Sequence, residues 1–229
     1  MQARKFSSEG EWIEAAVAEL RGARDAAAAE GRHALHLCLA GGTTPSPAYA
    51  AMAALPLRGT RVELWLGDER VVPAGRSERN DAMIERAFAS CAWDPPARLR
   101  PWPLDSEGLD GAEAARLYEE ELRGELGEDP AFDLTILGLG ADGHTASLFP
   151  GALWEARRGE GPIAALSESP LEPRRRLTLT PRALLGSRRI VFLVRGRDKL
   201  PAIRALEAAD PRAPASIFAL ESTTLLYLE

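Results

Sequence analysis

The strongest constraint on how this chain folds is an alternation along its length. Short, almost wholly apolar runs ending in glycine- or charge-rich loops take turns with longer segments of helical periodicity. Ala34-Leu35-His36-Leu37-Cys38-Leu39-Ala40 is the first such run, and Gly41-Gly42-Thr43-Thr44-Pro45 follows it. Val62-Glu63-Leu64-Trp65-Leu66 leads to Asp68-Glu69-Arg70, and Phe132-Asp133-Leu134-Thr135-Ile136-Leu137 leads to a loop rich in glycine. Runs this short and this apolar read as strands buried on both faces. Trp12, Ile13, Ala16, Val17 and Leu20 recur at helical spacing within 7–30, and helices are also expected at 80–89, 111–126 and 198–208. Another helix is expected to run to Leu55, with Thr44 as its cap and Pro45 at its first position. Asp68-Glu69-Arg70 reads as a loop, and further strands are expected near 99–102, 163–166, 176–180, 189–194 and 224–228.

Strands that alternate with helices pair in parallel through right-handed crossovers. The expectation is an α/β chain, a three-layer α/β/α Rossmann-like fold with a mostly parallel sheet, in one domain spanning 1–229. The Pro- and Arg-rich stretch 168–176 is the candidate for a mobile surface loop. In such sheets ligands bind beyond the carboxyl ends of the strands. That directs attention to the loops 40–46, 67–73 and 138–151.

Composition narrows the partners. The net charge of −6 argues against nucleic acid and against an anionic membrane surface, so an anionic substrate would need a local basic pocket. No apolar run approaches the about 20 residues of a membrane span, and MQARKFSSEGEW lacks the apolar core of a signal peptide. A cytoplasmic location is the expectation. The only cysteines, Cys38 and Cys91, do not make a disulfide framework, and Cys38 reads as a buried free thiol. His36 and Cys38 share a strand face, but two ligands do not make a zinc site, and no metal or other cofactor is expected.

The richest stretch is Gly138-Leu139-Gly140-Ala141-Asp142-Gly143-His144-Thr145-Ala146-Ser147-Leu148-Phe149-Pro150-Gly151. Its glycines permit an irregular backbone. His144 suits a general base near neutral pH, and Asp142 suits the carboxylate that orients it. Gly41, Gly42 and Thr43 sit where backbone amides and hydroxyls bind anions. Arg70 is placed to fork onto a phosphate. One of Arg174, Arg175 and Arg176 is placed to reach the same group, and Lys199 falls at the expected ligand end of a strand. No Walker A sequence and no G-x-G-x-x-G follows the first strand, and no G-x-S-x-G pattern is present.

Together these motifs resemble the 6-phosphogluconolactonase family. The likeness rests on AGGTTP at 40–45, GDERVVP at 67–73, FDLTILGLGADGHTASLFPG at 132–151, RLTLTPRALL at 176–185 and VFLVRGRDK at 191–199. The resemblance implies a glucosamine-6-phosphate-deaminase-like fold. It also implies metal-free hydrolysis of 6-phospho-D-glucono-1,5-lactone, a step of the pentose phosphate pathway. Carried over by position, His144 is the base and Asp142 its partner. Arg70, Arg176 and Lys199 hold phosphate or sugar oxygens, Asp68 and Asn80 join the substrate site, and Gly41, Gly42 and Thr43 form the loop beneath. Its expected partner is a small phosphorylated sugar lactone, with the chain a monomer or small homo-oligomer.

Where the family often has Ser-Asn after the DER loop, this chain has Arg79-Asn80, so Arg79 is either a substitute phosphate contact or a solvated residue. The related amino-sugar-phosphate deaminases share the G-x-D-G-H core but carry Asn-Glu where Leu148-Phe149 stand here, and typically Tyr in place of Arg70. They are the rival reading, with a non-catalytic sugar-phosphate sensor as a third.

Overall fold

The computed structural model describes residues 1–104, 110–151 and 161–229. Apolar runs become strands because both their faces are covered. β1 (Gln2–Phe6), α1 (Glu9–Ala29), β2 (Ala34–Leu39), α2 (Ser46–Ala53), β3 (Arg61–Leu66), β4 (Asp68–Arg70) and α3 (Asn80–Phe88) build the first half. β5 (Arg98–Arg100), α4 (Gly111–Leu126), β6 (Leu134–Leu137), β7 (Ala164–Glu168), β8 (Arg175–Leu179), α5 (Pro181–Leu185), β9 (Ile190–Arg195), α6 (Leu200–Glu207) and β10 (Thr223–Leu228) complete it.

The main sheet has seven strands in the order β1-β10-β9-β6-β2-β3-β5, with every pairing parallel. β2 is buried from Leu35 onward and β6 throughout, as central strands between two helical layers must be. Side chains alternate across the sheet. Leu64 of β3 meets Ile84 and Phe88 of α3, while its neighbour Trp65 meets Tyr118 of α4 edge-on at 5.8 Å. α1 anchors its face through Trp12, whose indole N–H donates to the Leu226 carbonyl at 3.0 Å. The mostly parallel α/β architecture expected from the alternation is therefore present.

Two local expectations change, and two further details emerge. Asp68-Glu69-Arg70 is a strand, not a loop, and pairs antiparallel with β8; β7 completes this second, three-stranded sheet. The polar, three-residue β4 has no apolar periodicity to announce it, because its pairing comes from a strand more than a hundred positions away. β1 escapes an apolar-run search because it is an edge strand whose Ala3, Arg4 and Lys5 stay exposed, and its charges blunt the free edge. α2 starts at Ser46 with Pro45 as its cap residue, so Thr44 is not the cap. The stretch 168–176 is the end of a β-hairpin, where the Ser169 amide donates to the Arg174 carbonyl at 2.7 Å.

The order of strands also places the ligand end. From β2 the chain moves toward β3 and β5, whereas from β6 it moves toward β9 and β10. The loops after β2 and β6 diverge, leaving a crevice between their carboxyl ends, the switch point at which such sheets bind ligands.

Far from that crevice, Arg100 ties the β5 edge to its neighbours. Its guanidinium donates to Glu63 at 2.6 Å, to Glu121 at 2.6 Å and to Glu125 at 2.8 Å. Glu63 is almost fully buried, and its other cationic partner is the half-exposed Arg61 at 3.3 Å. Arg100→Ala is expected to lower unfolding free energy by about 3 kcal/mol, because it leaves a buried carboxylate under-compensated. Urea denaturation measures this directly, and a change below about 1 kcal/mol would contradict it.

Candidate active site

Two adjoining cavities fill the switch-point crevice, one of about 230 Å³ and one of about 650 Å³. Asp68, Arg70, His144 and Lys199 line both. Gly41 and Asn80 line the inner cavity; Asp142 and Arg176 line the outer. Gly42 and Thr43 are in neither lining, and Thr44 occupies the place expected for Thr43.

The loop after β6 presents His144. The Gly140 amide donates to the His144 carbonyl at 2.8 Å, and the Gly143 amide to the Gly140 carbonyl at 3.0 Å. A side chain at Gly140 would lie 2.1 Å from His144 Nδ1, so only glycine leaves room for the imidazole. Gly143, with φ of +83°, sits in the left-handed region that glycine adopts freely. Asp142 Oδ1 accepts from the His144 amide at 3.1 Å and lies 2.5 Å from the ring Nδ1. Partial burial alone would raise the Asp142 carboxyl, but the hydrogen bonds from His144 win and hold it below the ordinary range. The imidazole is about one-third exposed and packs on the Phe149 ring at 4.9 Å.

The next part of the loop is tied elsewhere. Ser147 Oγ donates to Asp68 Oδ2 at 2.6 Å. Asn80 Nδ2 donates to the Asp68 carbonyl at 2.8 Å and to its Oδ1 at 3.2 Å. Asp68 is thus a buried carboxylate whose two oxygens are both engaged by protein donors. Asn80 also packs against Gly41, where a Cβ would fall 1.8 Å from Asn80 Oδ1.

The cationic end is built by the second sheet. Arg70 of β4 and Arg176 of β8 are direct register partners across an antiparallel pair. Like charges opposed in this way repel. Burial and the neighbouring Arg70 charge hold the Arg176 guanidinium below the usual arginine range. Arg176 Nε donates to the Pro173 carbonyl at 2.7 Å, and Arg70 Nη1 to the Glu78 carbonyl at 2.5 Å. Arg70 Nε is buried without a hydrogen-bond partner. Two adjacent guanidiniums with no carboxylate among the described residues bonded to either make a site that an anion stabilises. Of the three consecutive arginines, Arg176 is the one in the cleft, while Arg174 and Arg175 are exposed. Antiparallel pairing of β4 with β8 makes that choice, and sequence spacing alone leaves it open.

Arg79 is neither a cleft residue nor solvated. It is buried, bonded to Asp81, and its Nε lies 3.9 Å from Glu69. Two residues with structural weight here were not singled out from the sequence. Ser147 reads as an ordinary small residue until Asp68 arrives beside it. Glu69 reads as one charge of a solvated triplet, yet it is fully buried and accepts the amides of Arg70, Asn80 and Asp81. Burial pushes its carboxyl up to about 7 against the pull of those amides. The other histidine of interest, His36, is a core residue whose Nδ1 lies 3.2 Å from the Trp65 indole nitrogen. Among the described residues, no cluster of three or more His, Cys, Asp or Glu side chains is arranged to hold a metal ion.

Chemically, the cleft offers an imidazole oriented by a carboxylate together with a pair of guanidiniums and a lysine. Comparisons with known proteins point the same way. The model of the glucosamine-6-phosphate isomerases/6-phosphogluconolactonase family matches residues 7–227. A 6-phosphogluconolactonase from Synechocystis sp. is 36% identical over 200 residues, covering 84% of this chain and 80% of its own. One from Mycobacterium tuberculosis is 34% identical over 226 residues, covering 94% of this chain and 90% of its own. The crystal structure of 6-phosphogluconolactonase from Thermotoga maritima superposes with a TM-score of 0.81 at 27% identity, covering 99% of this chain and 98% of that one.

Gly41→Ala is expected to destabilise the protein by about 2 kcal/mol, since the new methyl collides with Asn80. In an Asn80→Ala background the same change should cost at least about 1 kcal/mol less, because the collision partner is gone. A double-mutant cycle by thermal or urea unfolding reads this coupling. Strict additivity would show that Gly41 is not held to glycine by Asn80.

Proposed function

This chain belongs to the glucosamine-6-phosphate isomerase/6-phosphogluconolactonase family, and from that premise we propose that it hydrolyses 6-phospho-D-glucono-1,5-lactone to 6-phospho-D-gluconate in the oxidative pentose phosphate pathway. The observation that carries the reading is the shared cleft. One cavity is lined both by the Asp142–His144 pair and by Arg70, Arg176 and Lys199.

His144 is the general base. Its Nδ1–H is committed to Asp142, so Nε2 is the nitrogen that takes a proton. Water attacks the lactone C1 as Nε2 removes its proton, and the carbonyl π pair moves onto oxygen. The tetrahedral intermediate collapses, the bond from C1 to the ring oxygen breaks, and the imidazolium returns the proton to that oxygen. The Asp142 carboxylate, held ionised by its bonds to His144, stabilises the transient imidazolium. Arg70, Arg176 and Lys199 hold the phosphoryl group, which converts binding energy into orientation of the ring over His144. Asp68 and Asn80 shape the wall between these two ends; Gly41 lets that wall close. Gly42 and Thr43 belong to the loop beneath, one step removed from the cavity lining.

Isomerisation and deamination of an amino-sugar phosphate would call for a second proton carrier beside the base, and the apolar ring of Phe149 occupies that position. No helix among the described residues is long and apolar enough to cross a membrane. We place the enzyme in the cytoplasm as a monomer or small homo-oligomer.

A pH-stat assay on freshly generated lactone tests the reading. Acid release identifies lactone hydrolysis, ammonia from an amino-sugar phosphate identifies deamination, and binding without turnover identifies a sensor. His144→Ala is expected to lower kcat by about 10²–10⁴, the usual contribution of a general base; wild-type-like turnover would end the assignment. Arg70→Ala is expected to raise KM for the phosphorylated lactone more than it lowers kcat. An unchanged KM would remove Arg70 from phosphate binding.

A further inference from the structure

We propose that Glu69 is a positioning residue for the anion-binding end of the cleft, holding Arg70 and Asn80 in one frame by accepting the backbone amide hydrogens of both. The inference rests on the reading of that end as the phosphate site. Glu69 touches no substrate: it is fully buried and lines neither cavity. Its role is in what it joins. A single oxygen, Oε1, takes the Arg70 amide at 2.8 Å and the Asn80 amide at 2.7 Å. The other oxygen takes the Asp81 amide at 2.9 Å and has Arg79 Nε at 3.9 Å.

These bonds join two short elements, adding to the side-chain bonds that Asn80 makes to Asp68. β4 is only three residues long, and Arg70 ends it. α3 begins at Asn80, and its cap residue Arg79 makes no side-chain capping bond. Glu69 therefore caps α3 from the neighbouring strand, satisfying amides that the helix cannot satisfy itself. The strand that it holds is under load. Arg70 faces Arg176 across the β4–β8 register, and their like charges repel. When ionised, Glu69 also favours the charged form of Arg176. One carboxylate thus sets the backbone from which the guanidinium projects.

The test is inorganic phosphate binding by isothermal titration calorimetry, with kcat and KM on the phosphorylated lactone, for Glu69→Ala, Glu69→Gln and Arg70→Ala. Glu69→Ala is expected to raise the phosphate Kd and the KM together by about tenfold, with kcat changed less, because a misplaced guanidinium loses orientation. Glu69→Gln keeps an oxygen for Arg70 and Asn80 but sets an NH₂ group against the Asp81 amide and Arg79. It is expected to melt at a lower temperature yet hold phosphate within about threefold of the wild-type Kd. If Glu69→Ala melts lower but binds phosphate with the wild-type Kd, Glu69 is a helix cap alone and the proposal is overturned. Equal loss of phosphate binding in the Gln and Ala variants also overturns it, since shared amide acceptance would not be the cause. If Glu69→Ala does not fold, Glu69→Asp, one methylene short of both amides, carries the same expectation and the same overturning result. Arg70→Ala separates the two ways of failing. Wild-type binding in both Arg70→Ala and Glu69→Ala means that the phosphate reading is wrong. Loss in Arg70→Ala alone means that only the role of Glu69 is.

Discussion

The site depends on the carboxylate of Asp68, which is shared between Ser147 and Asn80. Those two donors come from the loop after β6 and from the start of α3, while Asp68 itself opens β4. Three segments distant in sequence meet on one buried side chain. A buried carboxylate is tolerated only when its oxygens are satisfied, so each segment is held to the others by the penalty of leaving any donor or acceptor unpaired. The separation between the imidazole of His144 and the guanidinium of Arg70 follows from that junction, because His144 lies three residues before Ser147 and Arg70 two residues after Asp68.

Around this junction the charges are arranged against the average. The chain carries a formal net charge of −6, yet the cleft gathers Arg70, Arg176 and Lys199. Elsewhere arginines are mostly paired with acids, as Arg100 is with three glutamates. In the cleft the acceptors of the two guanidiniums among the described residues are carbonyls. Leaving cations unneutralised and partly desolvated is unfavourable in the free protein, and an anion entering the cleft relieves it. Two of the carboxylates that act on them are already bound, Asp68 by Ser147 and Asn80, Glu69 by three backbone amides. Those two buried acids are thereby engaged by donors other than the guanidiniums.

Much of this was legible before any coordinates. Buried parallel strands leave a strong local mark, since both faces must be apolar, and β2, β3, β6, β9 and β10 were all found from it. The Gly140-Ala141-Asp142-Gly143-His144 loop was legible for a different reason: glycine is forced wherever an imidazole or a turn takes the space of a side chain, as at Gly140. β1 and β4 were not legible. Their side chains are largely polar, and their strand character comes from partners far along the chain, Thr224 to Leu228 for β1 and Arg176 to Thr178 for β4. Arg79 was misjudged for a related reason, since nothing local says that Glu69 is buried beside it.

By itself the sequence determined the layered α/β class, the ends of the strands at which chemistry had to occur, and the Asp142–His144 pair, because hydrophobic period, turn chemistry and a two-residue spacing are local properties. Only the tertiary structure decided that Arg176 rather than Arg174 or Arg175 stands beside Arg70, that Thr44 rather than Thr43 lines the cavity, and that Asp68 and Glu69 are held by protein donors. Those facts depend on which strand lies opposite which and on what is excluded from water. Pairing and burial are relations between distant segments, and no stretch of chain carries them alone.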